Sequence, residues 1–305
     1  MTPNLIVILG PTASGKTRLA VRLARDLNSE IISADSRQVY RGMDIGTGKD
    51  LDEYRIEGRE IPYHLINIVD PDHDFNVFEY QSRFYRCFAE ISSRGRIPIL
   101  AGGTGLYLSA VLEGYRMVEV PENPELRESL KGESLEDLQR RLLALNPSLH
   151  NTTDLLDRSR LLRAIEIAEY SRIKEEESPT DRPSIDPLVV GVHWDREALR
   201  KRIGLRLKER LAMGMIDEVK GLHRSGISWD RLVFWGLEYR YVALYLQRKI
   251  SYGEMVQTLT NRISQFAKRQ GTWFRRMERH GIGISWIDGD DYEALKKLVD
   301  RSLNA

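Results

Sequence analysis

The 305-residue sequence predicts an α/β fold, a parallel sheet joined by crossover helices, and three observations carry that prediction. Asn4–Leu9 (NLIVIL) is a continuous apolar run, the pattern of a strand buried on both faces. A glycine-rich turn follows it, and Thr17–Leu27 then places apolar residues at helical spacing. The alternation repeats: Glu30–Ser33 and Arg96–Ala101 read as buried strands with the helical stretch Phe75–Ser92 between them, and Leu188–His193 reads as another.

The texture changes after Thr104–Leu112. From about Ser134 to Arg172 the chain is charged, helical by period and free of strand candidates, and it leaves through the acidic, proline-containing stretch Glu175–Pro187. We therefore read residues 1–115 as the first part of an α/β core and residues 116–186 as a helical insertion. Residues 187–305 complete the core with helices at Arg196–Met213, Ile216–His223, Leu237–Gln247 and Tyr252–Arg279, a strand at Ile282–Ile287 and a closing helix at Tyr292–Leu303. No internal repeat is visible.

The formal net charge is only +1, so any nucleic-acid role has to come from local clustering of cations. A single cysteine, Cys87, excludes an internal disulfide and a cysteine-based zinc finger; its helical setting predicts a buried, inert thiol. No run approaches the roughly 20 apolar residues of a membrane span, and no basic leader precedes the first strand. The expected compartment is the cytoplasm, without a membrane partner.

Gly10-Pro11-Thr12-Ala13-Ser14-Gly15-Lys16-Thr17 matches the Gly-x-x-x-x-Gly-Lys-Ser/Thr phosphate loop in its required setting, strand before and helix after. Glycines let the backbone wrap an anion, so that successive N–H groups and the positive end of the helix face it. Lys16 suits the terminal phosphate, and the Thr17 hydroxyl suits a magnesium ion. The core is thus P-loop NTPase-like, and its ligand is a di- or triphosphate. A nucleotide hydrolase usually ends a second strand in an acidic magnesium ligand. Here Arg96–Ala101 ends in Gly102-Gly103-Thr104, which suits close backbone approach to a ligand. The nearest acidic residue at a strand end is Asp35; a turn or helix-capping aspartate is the plain alternative.

At these residues the sequence resembles the tRNA dimethylallyltransferases. The resemblance rests on the phosphate loop, the run Asp35–Thr47 (DSRQVYRGMDIGT), Gly102–Tyr107 (GGTGLY) and His64-Leu65-Ile66 with Val69-Asp70-Pro71. It extends to the Arg-x-x-Arg-Ala-x-Glu pattern at Arg160–Glu166, and to Ala267-Lys268-Arg269-Gln270 with Trp273-Phe274. These stretches span most of the chain, and Asp35–Thr47, which has no generic structural reason to exist, is the most specific.

The resemblance implies transfer of a dimethylallyl group from its diphosphate to the N6 amine of the adenosine 3′ of the anticodon in tRNA. It makes Asp35 the general base, Thr17 the magnesium ligand and Arg206 an arginine beside the pyrophosphate. Asp35, Ser36, Arg37, Gln38 and Thr104 would meet the flipped target base, and Ser159, Arg160, Leu161, Leu162 and Arg163 a further part of the RNA. Arg160 and Arg163 stand one helical turn apart and are expected to face one backbone. The basic residues of Tyr252–Arg279, interleaved with Trp273 and Phe274, suit phosphate contact. The chain is expected to act as a monomer. Gly48 and Asp50 depart from the Ala and Pro usual in the family, and Gly236-Leu237-Glu238-Tyr239-Arg240 departs from a Gly-Tyr-Lys-like turn. A small-molecule kinase, a prenyltransferase acting on free adenylate, and an RNA-binding module with a vestigial loop are the competing readings.

Overall fold

The computed structural model describes residues 2–117, 119–145, 155, 157–173 and 182–304. They form two compact units, one of Met1–Tyr115 with Pro183–Ala305 and one of Arg116–Arg182. Most of the exit stretch read at Glu175–Pro187, up to residue 181, lies outside the described residues.

The larger unit is built on a six-stranded parallel sheet. Along the chain its strands are β1 (Leu5–Leu9), β2 (Ile31–Ala34), β5 (Tyr63–His64), β6 (Ile99–Gly102), β7 (Pro187–His193) and β8 (Ser285–Asp288), in the spatial order β5-β2-β6-β1-β7-β8. A separate hairpin pairs β3 (Arg55–Ile56) with β4 (Arg59–Glu60). All five side chains of β1 are fully buried, and they alternate between layers. Ile6 and Ile8 pack with α1 (Lys16–Asp26) on one face. Leu5, Val7 and Leu9 pack with α2 (Val77–Ser93) and α3 (Gly105–Leu112) on the other. Each such side chain contributes about 1.5–3 kcal/mol, so the phosphate loop leaves a strand anchored on both faces.

The smaller unit packs α4 (Pro124–Ser129), α5 (Leu135–Leu145) and α6 (Arg158–Ile173) around Leu130, Leu138, Leu142, Leu161 and Ile165. After β7 the larger unit continues through α7 (Arg196–Ala212), α8 (Met215–Arg224), α9 (Trp229–Trp235), α10 (Leu237–Leu246), α11 (Tyr252–Arg279) and, past β8, α12 (Tyr292–Leu303). The one late helix absent from the sequence reading is α9. Seven residues are too few to show a period, and its start is set by the Ser228 hydroxyl, which accepts the Arg231 N–H at 3.1 Å. Cys87 is half-buried, and burial pushes its thiol up to about 11, so it stays protonated at neutral pH.

The edge of the sheet opposite the phosphate loop is held by Glu30, which is 4% exposed. Its carboxylate accepts hydrogen bonds from Arg94 (3.0 and 2.9 Å) and Arg96 (2.8 Å) and pairs with His64 Nε2 at 2.8 Å. Burial works to raise its pKa, yet the bonds from His64 and Arg94 prevail and hold the carboxyl below its usual range. Glu30→Ala should lower stability by about 2 kcal/mol, because two part-exposed guanidiniums lose their shared counter-ion and its charge-assisted hydrogen bonds. A carboxyl depressed in the folded state contributes above its unfolded pKa and loses that contribution as pH falls through the folded value. Urea unfolding should therefore show the gap between wild type and variant narrowing in acid.

Candidate active site

Three adjacent strand ends assemble the site. In the order β2-β6-β1, the chain leaves β2 at Asp35, β6 at Gly103-Thr104 and β1 at Gly10, all on the carboxyl edge where open parallel sheets collect ligands.

Within the loop, Ala13 (φ 63°) and Gly15 (φ 86°) adopt left-handed backbone, an arrangement that turns successive N–H groups to one side. The Ser14 hydroxyl is buried there without a partner. The Cβ of any other residue at Gly10 would come within 2.8 Å of that oxygen. The outer carbonyls are clamped: Trp194 Nε1 donates to that of Ser14 and Arg202 Nε to that of Ala13, both at 2.9 Å, while the Arg202 guanidinium lies over the Trp194 ring. On the other side Gln270, from α11, accepts the Thr12 N–H and donates to the Gly103 carbonyl, each at 2.8 Å. Lys16 Nζ donates only weakly, to the Pro11 carbonyl at 3.3 Å. Removal from water and then the charge of Arg206 push its ammonium down to about 8, against the pull of Asp35.

Asp35 is a turn residue at the end of β2, at the strand end where the sequence reading placed a site carboxylate. Its Oδ1 accepts the N–H groups of Arg37 (2.8 Å) and Gln38 (3.4 Å), leaving Oδ2 for a ligand. Thr104 Oγ1 accepts the Ser36 N–H at 3.0 Å, and the Gln38 amide accepts from Ser33 (3.1 Å) and donates to the Gly48 carbonyl (3.0 Å). The glycines after β6 approach protein rather than a ligand. A Cβ on Gly102 would sit 2.3 Å from the Ala34 carbonyl, and one on Gly103 2.4 Å from Gln270 Nε2. The Asp35–Thr47 stretch also has a structural reason to exist. Glu218 accepts the N–H groups of Asp44, Ile45 and Gly46 at 2.6–3.0 Å, and buried Lys49 bonds Tyr40, Asp44 and Asn67. Gly46 leaves room for the Tyr239 ring.

Arg206 projects from α7 to an ion pair with Asp50 and lies 3.4 Å from the Gly48 carbonyl. One turn later Arg210 is buried, 3.9 Å from Asp50 and 3.6 Å from Glu238.

The profile of the IPP transferase family matches residues 38–277, and that of isopentenyl transferases matches residues 3–65. A tRNA dimethylallyltransferase of Syntrophus aciditrophicus is 73% identical over 305 residues, 100% of both chains. One of Geotalea uraniireducens is 60% identical over 290 residues, covering 95% of this chain and 94% of its own. The chain belongs to the tRNA dimethylallyltransferase (IPP transferase) family. Among solved structures, the full-length tRNA isopentenylpyrophosphate transferase of Bacillus halodurans has a TM-score of 0.68 at 32% identity, over 98% of both chains. A eukaryotic dimethylallyltransferase acting on tRNA shares the fold, with a TM-score of 0.76 at 23% identity over 97% of this chain and 76% of its own.

The remaining residues to which the family resemblance gave roles are differently disposed. Ser159 and Arg160 are exposed on α6. Leu161 is in the core of the smaller unit and Leu162 packs against it. Arg163 does not share the exposure of Arg160. It donates to the Val120 (2.6 Å) and Pro121 (3.3 Å) carbonyls and to Glu166 (3.0 Å), which require a donor where the chain turns into α4. On α11 the exposed cations are Arg262, Lys268, Arg269, Arg275 and Arg279. Trp273 and Phe274 are packing residues instead: Trp273 Nε1 donates to Ser109 Oγ at 2.8 Å, and Phe274 is buried beneath the sheet. Sequence reasoning missed Gln270, Trp194, Arg202 and Glu218. Gln270 closed a run quoted for the resemblance, but nothing local to the other three marks them.

Because an anionic ligand restores the Lys16 pKa, the ligand-free side chain loses its proton first as pH rises. Affinity for a prenyl diphosphate analogue should therefore be highest below pH 8. Above that it should weaken by up to about tenfold per pH unit until the bound-state pKa is reached. Titration calorimetry across this range checks the profile, which Lys16→Arg should flatten.

Proposed function

We propose that this chain transfers a dimethylallyl group from dimethylallyl diphosphate to the N6 amine of the adenosine 3′ of the anticodon in tRNA, releasing pyrophosphate. The observation that carries the reading is the placement of the phosphate loop, Thr104 and Asp35 at three neighbouring strand ends. An anion cradle thereby faces a carboxylate with one free oxygen.

The nitrogen attacks the allylic carbon as the carbon–oxygen bond breaks, and the bonding pair leaves with the pyrophosphate. Loop N–H groups, Lys16 and Arg206 stabilise the charge that develops on it. The proton lost from nitrogen goes to Asp35 Oδ2. The turn bonds to Oδ1 hold that carboxylate in place, and Thr104 braces the same turn through Ser36. Among the described residues no group of three acidic, histidine or cysteine side chains could hold a metal by itself. Thr17, in the first turn of α1 and three residues after the unpartnered Ser14 hydroxyl, fits the usual magnesium arrangement, in which substrate phosphates supply further ligands. Magnesium held there would neutralise leaving-group charge.

The exposed cations of α11 supply the phosphate contacts a polynucleotide needs, and a free mononucleotide needs none of them. Among the described residues no helix is long and apolar enough to cross a membrane. We take the enzyme to act as a monomer in the cytoplasm, where its tRNA substrate is found.

Purified protein with magnesium, dimethylallyl diphosphate and unmodified tRNA bearing that adenosine should yield prenylated adenosine, and free AMP should not replace the tRNA. Asp35→Ala should lower turnover by at least about a hundredfold while tRNA affinity stays within a fewfold of wild type. Undiminished turnover would remove Asp35 from the base role.

A further inference from the structure

Gly48, Asp50 and Glu238, three departures from the family pattern, converge on two arginines of α7. Gly48 has a φ of 64°, and a Cβ there would fall 1.5 Å from Arg210 Nη2 and 2.9 Å from Arg206 Nη2. A side chain at this position would have to displace the Arg210 guanidinium. The two cations stand one turn apart with Lys16 in electrostatic reach of both. Arg210 is 7% exposed and its Nε has no partner. Its counter-ions are Glu238 at 3.6 Å and Asp50 at 3.9 Å, and Asp50 also pairs directly with Arg206. A carboxylate in this position opposes a second anion at the phosphate loop, so its presence calls for a reason.

Resting on the reading that the loop and Arg206 receive the donor diphosphate, we infer that Asp50 is a positioning residue that acts as an internal anion. It occupies Arg206 in the free enzyme, yields it to the incoming diphosphate, and takes it back as pyrophosphate leaves. Apparent affinity for the diphosphate is then lowered by the fraction of enzyme in which Asp50 holds Arg206. Product release is assisted by the same competition. Arg210, fixed by Glu238, keeps Asp50 within reach of both partners.

The test is pyrophosphate binding by calorimetry, together with steady-state kinetics, on wild type, Lys16→Ala and Asp50→Asn. Asp50→Asn should bind pyrophosphate about tenfold more tightly and lower KM for dimethylallyl diphosphate by a similar factor, without raising kcat. Equal or weaker pyrophosphate binding in Asp50→Asn, with wild-type binding dependent on Lys16, overturns this inference alone. Absent wild-type binding, or binding indifferent to Lys16→Ala, overturns the phosphate-loop reading and the inference with it. Should Asp50→Asn fail to fold, Asp50→Gly removes the charge and suits the positive φ of 45° at this position. Asp50→Gly should likewise tighten pyrophosphate binding, and an unchanged constant overturns the proposal.

Discussion

The amide of Gln270 is the contact through which the phosphate loop, the end of β6 and the longest helix depend on one another. A loop that turns its N–H groups toward an anion leaves others without a helix or sheet partner, and a buried one is expensive to leave unpaired. Gln270 takes the Thr12 N–H and returns a donor to the Gly103 carbonyl. Residue 103 must then be glycine, since a Cβ would occupy the space of the amide nitrogen. The helix carrying Gln270 is itself held along two cores. Leu259 and Ile263 lie among the late helices, and Phe274 and Met277 lie against the sheet. The position of the loop is thereby tied to packing across much of the larger unit. The same loop is gripped from outside by Trp194 and Arg202, at the end of β7 and on α7.

Around this frame the charges are arranged locally rather than globally. The chain is almost neutral, with a formal net charge of +1, yet Lys16, Arg206 and Arg210 gather beside the loop with Asp35 and Asp50 among them. Removal from water and then the charge of Arg206 pull the Lys16 ammonium to about 8, against the attraction of Asp35. Glu30, at the opposite edge of the sheet, shows the contrasting use of charge. Its buried carboxylate is taken up by Arg94, Arg96 and His64.

The strands and long helices were legible because their signals are local. β1 is apolar at every position as both its faces are covered, and α11 repeats its buried residues over 28 residues. The two-residue strands β3, β4 and β5 and the seven-residue α9 are too short to show any period; a tight hairpin defines β3 and β4, pairing with β2 defines β5, and the Ser228 cap starts α9. The phosphate loop and Asp35 were legible for a different reason: the chemistry of each is carried by residues adjacent in sequence. Arg163 and Trp273 illustrate the reverse. A basic or aromatic residue on a helix reads the same whether it faces solvent or a neighbouring element, and here carbonyls of the chain and Ser109 take them.

By itself the sequence determined the class of fold, the glycine-rich loop after β1 and the family, since each rests on order along the chain. Only the tertiary structure decided which side chains support that loop. Gln270, Trp194 and Arg202 reach it from 180 to 258 residues away, and a hydrogen bond depends on distance in space, which no spacing along the chain records. The same holds for Gly48, Asp50 and Arg210. Along the chain they are two departures from the family pattern and one helix arginine, and together they form one half-buried network, because folding brings a loop after β2 against α7.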